Sequence, residues 1–233
     1  MTNNKDAFWL PYMARARNYN KWVFDQYKDY VGDSAIDLGS GFGTFVDFIK
    51  EKKSISLIEI SDEAIDRLKY KYKNHNNIKI IKHDLSKSAP LQFQSAMDTA
   101  ICLNVLEHVK DDESMIKNIR QCLEHKGKLI LYVPAVKALF GSLDSNLGHY
   151  RRYKKAELEQ MLGRNGFKII KSRYMNFLGA FTWFLYSRIL KRDKVKEKRI
   201  LFYDKWFIPL ISRIENLINP PIGQSLLIIA EAN

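Results

Sequence analysis

From residue 34 onward, short apolar runs alternate with segments whose apolar positions recur at helical spacing. Ser34–Leu38 (SAIDL) reads as a strand that ends in a glycine-rich turn, and Phe45–Lys50 as the start of a helix. Ile55–Ile60 is a second strand. Ser61 and Asp62 can cap the helix that follows over Glu63–Tyr72. Ile78–Lys82 and Met97–Leu103 are a third and a fourth strand. Asp112–Leu123 is helical, with Met115, Ile116 and Ile119 on its core face. Gly127 opens a fifth strand, GKLILYV, stopped at Pro134.

Strands that are apolar throughout and separated by helices imply a parallel sheet covered on both faces, an α/β doubly wound architecture. The end of the chain departs from this rhythm. Gly166–Arg173 and Ser225–Ala230 read as strands, but about fifty residues rich in aromatics, lysine and arginine lie between them. That is too long for a plain connection, so a helical insert is expected. The pattern divides one domain into an N-terminal helical cover (1–33), a core (34–174), an insert or lid (175–222) and a last strand (223–233).

Charge adds a second constraint. The 233 residues carry a formal net charge of +12, which favours anionic partners such as nucleic acid, an anionic membrane face or a phosphorylated compound. Lysine-rich solubility is the plainer alternative. Cys102 and Cys122 form no C-x-x-C pair, and no Cys/His cluster has zinc spacing, so a reduced, cytoplasmic chain without a metal is expected. Residues 1–6 are polar and lack the plan of a signal peptide. The apolar run 176–187 (NFLGAFTWFLYS) is too short to span a membrane, and Arg188 closes it. It can still lie on a membrane surface. The stretch that follows, 188–199, carries seven positive and two negative charges. Aromatics beside basic residues suit an anionic membrane, a polyphosphate head group or RNA. A core-facing helix followed by a solvated basic turn is the structural alternative.

The chemistry is concentrated after the first strands. Asp37 stands at the carboxyl end of the first, followed by Gly39-Ser40-Gly41-Phe42-Gly43. Alternating glycines permit a tight turn, close approach of a ligand to the backbone, and close strand–helix packing. Glu59 ends the second strand, where an acid can accept both hydroxyls of a ribose. Asp84, in His83-Asp84-Leu85 after the third strand, can hold an adenine amino group, and Asn104-Val-Leu-Glu107-His108 follows the fourth.

Together these segments resemble the class I S-adenosylmethionine-dependent methyltransferases. The resemblance covers most of residues 31–134. It implies S-adenosylmethionine as cofactor and a seven-stranded Rossmann-like sheet, five parallel strands joined by a final antiparallel hairpin with the last strand inserted. Gly39, Ser40, Gly41 and Gly43 would line the methionine portion. Glu59 and Ile60 would hold the ribose and flank the adenine. Asp84 and Leu85 would meet the adenine edge, and Asn104 and Val105 would sit beside the sulfonium. A preceding helix over Tyr12–Tyr19 would cover the cofactor, with Arg15 or Tyr19 meeting its carboxylate; a basic solvent face with Tyr19 and Trp22 on the core is the alternative.

A narrower resemblance lies in Leu139-Phe-Gly141-Ser-Leu-Asp144, in Leu147-Gly-His149-Tyr150-Arg151-Arg152-Tyr153 and in Ile222-Gly-Gln-Ser-Leu226. These look like a bacterial and archaeal subgroup associated with envelope, glycan or lipid-linked pathways. His149 falls in the loop after strand five, at the open end of the sheet. It can take a proton from a hydroxyl or amine, with Asp144 orienting it, or serve for positioning alone. Alternatively Gly148-His149-Tyr150 caps a helix while Arg151 and Arg152 bind an anion. Glu107 and His108 resemble the family's pair after strand four, and no third metal ligand is suggested beside them. Asn219-Pro-Pro-Ile lies outside the position of a base-methylating N-P-P motif and reads as a turn. The expected reaction is methyl transfer to oxygen or nitrogen of a small-molecule or lipid/glycan-linked acceptor. RNA methylation and a non-catalytic cofactor-binding scaffold are the rivals. Nothing in the sequence sets the oligomeric state.

Overall fold

The computed structural model describes residues 13–84, 86–90, 93–192 and 195–233. Seven strands form one sheet: β1 (Ser34–Leu38), β2 (Ser54–Glu59), β3 (Ile78–Lys82), β4 (Met97–Leu103), β5 (Leu123–Pro134), β6 (Phe167–Met175) and β7 (Ser225–Ala232). Their order is β3-β2-β1-β4-β5-β7-β6. The first five are parallel, and β7 runs antiparallel between β5 and β6. This is the seven-stranded arrangement expected from the sequence.

Helices cover both faces: α1 (Arg17–Asp25), α2 (Val46–Ile49), α3 (Asp62–Lys71), α4 (Asp112–Cys122), α5 (Ser142–Asn146), α6 (Lys155–Arg164), α7 (Phe177–Phe184), α8 (Glu197–Trp206) and α9 (Ile208–Leu217). Period-two alternation sorts the strand residues between two cores. Ile36 and Leu38 of β1 join Met115, Ile116 and Ile119 of α4 on one face, whereas Ala35 joins Trp22 and Val23 of α1 on the other. Asp37 therefore points to the α1 side. Cys102 and Cys122 are buried free thiols of the first core.

Element ends follow local chemistry. The Ser61 hydroxyl accepts the Ala64 N–H at the start of α3, and Asp111 accepts the Ser114 N–H at the start of α4. The helix expected over Phe45–Lys50 is only one turn, α2. β5 begins at Leu123 rather than Gly127, because Lys126 adopts φ +65° and the pairing with β4 shifts between Met97 and Thr99. β6 runs on to Met175 and stops where Asn176 turns left-handed at φ +59°.

The residues between β6 and β7 are helical, α7 to α9 with a π-helical turn at Leu185–Ile189. Two buried carboxylates tie them down. Glu215 of α9 accepts the N–H groups of Asn176 (3.0 Å) and Phe177 (2.7 Å), satisfying donors at the start of α7 that have no partner within the helix. Asp204 of α8 accepts the N–H groups of Asn18 (3.2 Å) and Tyr19 (2.8 Å) in the first turn of α1. Replacing Glu215 with alanine leaves those buried donors unpaired. Chemical denaturation should show a loss of about 1–3 kcal/mol; an unchanged midpoint would mean that the insert is held otherwise.

Candidate active site

A cavity of about 570 Å³ opens at the carboxyl ends of β1, β4 and β5, roofed by α1, α7 and α8. Ligands of open parallel sheets collect at this edge. Its floor is the turn after β1. Gly39, Gly41 and Gly43 all have positive φ, +70°, +53° and +71°. A Cβ on Gly39 would lie 2.5 Å from Val105 Cγ2, so only glycine fits there. The far end of the turn is fixed by the Tyr72 hydroxyl, which donates to the Gly43 carbonyl at 3.0 Å.

Asp37, Gly39, Ser40, Gly41, Asn104 and Tyr19 line this cavity. Burial pushes the Asp37 carboxyl up to about 7. Asn104 also sits at positive φ, +54°. The Tyr19 and Tyr132 hydroxyls share a hydrogen bond of 2.6 Å. Gly43 and Val105 instead support the turn from outside the lining, Val105 by packing against Gly39.

The structure does not bring every expected residue into that space. The Glu59 carboxylate accepts the N–H groups of Gly41 (2.8 Å), Ile60 (2.7 Å) and Ser61 (2.9 Å), so the glycine turn closes over it. Ile60 and Asp84 line a separate hollow of about 280 Å³, where Asp84 accepts from the Ser86 N–H and hydroxyl. Leu85 lies outside the described residues. Arg15 is a correction: it pairs with Glu197 on the surface and does not line the cavity, because α8 offers a nearer carboxylate. The alternative in which Arg151 and Arg152 bind an anion finds no support, since both are engaged within the chain. Arg151 pairs with Asp112 at 2.9 Å. Arg152 is buried, donating to Asp144 at 2.7 Å and to the carbonyls of Ala135 and Gln224.

His149 and Asp144 are adjacent, as the sequence suggested. Asp144 Oδ1 lies 3.0 Å from His149 Nδ1, and the imidazole lines the cavity. Asp144 is fully buried. Burial alone would raise its carboxyl, but the His149 hydrogen bond, the Arg152 charge and the Trp183 indole outweigh this and hold it below the usual carboxylate range. Trp183 of α7 donates to Asp144 Oδ2 at 3.0 Å and receives the Arg152 guanidinium over its ring at 4.9 Å. No spacing in the sequence connects Trp183 to this group.

Glu107 and His108 also face the cavity. Their ligating atoms and those of His149 all lie within 4.8 Å of one another. The sequence offered no third partner for the Glu107–His108 pair, and the loop after β5 brings one. Burial raises the Glu107 carboxyl to about 7, and burial with the neighbouring His149 lowers the His108 imidazole to about 4.

Gly39→Ala tests the turn. A left-handed conformation and the Val105 contact should together cost about 1–3 kcal/mol in thermal denaturation; an unaffected melting temperature would show that the turn can relax.

Comparison with known proteins agrees with this geometry. A family model described as "Methyltransferase domain" matches residues 12–172. An uncharacterized protein of Methanocaldococcus jannaschii is 31% identical over 156 residues, 66% of this chain and 62% of that protein. An uncharacterized 37.1 kDa transposon protein of Streptomyces fradiae is 26% identical over 51% of this chain and 35% of its own length. The chain thus spans less than two thirds of these curated relatives. An S-adenosylmethionine-dependent methyltransferase from Mesorhizobium loti superposes with a TM-score of 0.61 at 16% identity, over 87% of this chain and 92% of that one. One from Archaeoglobus fulgidus superposes with a TM-score of 0.59 at 17% identity, over 94% and 93%. With the family match across most of the sheet and the glycine turn, Asp37 and Asn104 gathered around one cavity, the chain belongs to the methyltransferase domain family, with a Rossmann-like class I fold.

Proposed function

We propose that this domain transfers the methyl group of S-adenosylmethionine to an oxygen or nitrogen of an acceptor held in the cavity beneath α7 and α8, and that the acceptor is lipid- or glycan-linked. One observation carries the reading: the glycine turn and His149, whose Nδ1 is held from behind by Asp144, line the same space, so a methyl donor and an acceptor can meet there.

When bound, the cofactor supplies an electrophilic methyl on a sulfonium. The residues present suit it. The left-handed Gly39 and Gly41 give its methionine portion close access to backbone, and Asp37 offers a carboxylate to its ammonium. Glu59 is placed for the ribose once Gly41 releases it, and Ile60 and Asp84 stand at the adenine end. With Nδ1 held by Asp144, His149 presents Nε2 for orienting the acceptor or receiving its proton. Most of the acceleration would come from alignment, since fixing acceptor, methyl and sulfur in line removes the entropic cost of a bimolecular encounter.

The insert supports a membrane-associated acceptor. Among the described residues no helix is long and apolar enough to cross a membrane. The insert nonetheless exposes large apolar side chains, including Phe181 (54%), Trp206 (62%), Leu210 (58%) and Leu217 (87%). Lys191, Arg192, Lys196, Lys198 and Lys205 of the same insert are exposed as well, Lys205 over the Trp206 ring at 5.1 Å. Exposed aromatic and aliphatic side chains in a segment rich in lysine and arginine suit the interface of an anionic bilayer. The envelope or glycan setting suggested by the Leu147–Tyr153 segment fits the same picture.

Three outcomes are expected. In calorimetry, S-adenosylhomocysteine should bind, and Glu59→Ala should weaken it by about 1.5–3 kcal/mol, roughly ten- to a hundredfold; no binding to the wild type would overturn the reading. Binding should strengthen as pH rises through about 7, because protonated Asp37 is neutral and only the ionised carboxylate attracts the ligand's ammonium. Asp37→Asn should bind weakly and lose that pH dependence. In flotation assays the protein should bind phosphatidylglycerol vesicles more than phosphatidylcholine vesicles, and Phe181→Ser with Trp206→Ser should abolish the difference. Binding to RNA in preference to either vesicle would move the acceptor to nucleic acid.

A further inference from the structure

Glu107 is the least satisfied group in the cavity wall. Its side chain is 0% exposed, and neither carboxylate oxygen has a hydrogen-bond partner. An uncompensated carboxylate in such a place is costly, and native structures seldom keep one without a cation or a cluster of donors. The nearest basic side chain is His149, whose Nε2 lies 3.9 Å from Oε1, too far for a hydrogen bond. That contact would in any case leave Oε2 unpaired.

The surroundings are arranged for a cation. His108 and His149 meet edge to face, ring centroids 4.8 Å apart, and the ligating atoms of Glu107, His108 and His149 lie within 4.8 Å of one another. All three side chains line the cavity. Asp144 holds His149 Nδ1, which leaves the Nε2 lone pair available on the side of Glu107. A carboxylate behind a ligating imidazole fixes its tautomer and strengthens it as a donor. Asp144 is itself held by Arg152 and Trp183. The loop is pinned to the other two ligands by the Tyr150 N–H, which donates to the Glu107 carbonyl at 2.8 Å.

We propose that Glu107, His108 and His149 form a divalent-metal site in the cavity wall. Two imidazoles and one carboxylate, without a thiolate, suit borderline ions such as Zn²⁺, Co²⁺, Fe²⁺ or Mn²⁺. Ligands about 2.1 Å from such an ion lie roughly 3–3.5 Å apart, so the trio closes by about an ångström on binding. Three protein ligands leave positions open to the cavity. An acceptor hydroxyl in one of them is oriented and made more acidic. In that state His149 Nε2 is a ligand and not a base, and the acceptor's proton leaves to solvent as the methyl moves from sulfur to oxygen. This last role rests on the methyl-transfer reading, whereas the site itself does not.

The test is a Co²⁺ titration of the metal-stripped full chain, followed by visible absorption, with S-adenosylhomocysteine calorimetry on the same samples. A saturable ligand-field band at one equivalent is expected. Glu107→Gln should abolish it, and Asp144→Asn, which removes the charge behind His149 and also the ion pair of buried Arg152, should weaken it roughly 10–100-fold in a chain that circular dichroism shows to be folded. No saturable band in the wild type, or an unchanged band in Glu107→Gln, would overturn the site. If Glu107→Gln does not fold, nuclear magnetic resonance of ¹⁵N-histidine in the wild type decides. Zn²⁺ should shift the ring nitrogens of two of the five histidines, and no shift overturns the site. Co²⁺ binding without binding of S-adenosylhomocysteine would sink the methyl-transfer reading and leave the metal site standing.

Discussion

One buried carboxylate organises the open end of this sheet. Asp144 accepts the Gly141 N–H, His149 Nδ1, Arg152 Nε and the Trp183 indole N–H, all between 2.7 and 3.1 Å. Its four partners come from the loop after β5, from the histidine of the cavity wall and from the insert. Arg152 carries the connection onward to the carbonyls of Ala135 and Gln224, beside β5 and β7. A buried charge is tolerable only when its lone pairs are filled. The requirement that every partner be present therefore couples the insert to the sheet, and the position of His149 to both.

The other side of the cavity obeys a steric constraint. Gly39 has no room for a side chain against Val105, and the turn it begins carries Gly41 onto Glu59. The result is a closed arrangement in which the acid at the end of β2 is satisfied by backbone donors and the hollow beside Asp84 is separate from the main cavity. Accommodating a nucleoside means exchanging the Gly41 N–H for ribose hydroxyls. That exchange conserves hydrogen bonds and so demands little net energy.

Much of this was legible in the sequence because it is local. Short apolar runs such as Ser34–Leu38 and Met97–Leu103 marked the strands, and the fifty-residue gap before Ser225 marked the insert. The alternating glycines marked the turn. What could not be read depended on distant pairing. Arg15 looked like a ligand-facing cation until α8 placed Glu197 beside it. An anion site at Arg151 and Arg152 was the alternative reading of that segment, but Asp112 and Asp144 pair with them. Trp183 looked like one more apolar residue of an aromatic run, though its indole completes the shell of Asp144. The closeness of His149 to Glu107 and His108 follows from the path of the loop after β5, which no periodicity encodes. Likewise the early start of β5 depends on a bulge against β4 that its apolar pattern does not announce.

The central claim is that the glycine turn and the helical insert enclose one cofactor-and-acceptor space. Amide hydrogen exchange of the full chain, with and without S-adenosylhomocysteine, tests it most directly. The account predicts that the ligand slows exchange both at residues 39–43 and across α1 and α7, which roof the same cavity. Protection confined to residues elsewhere, or none at all, would contradict it.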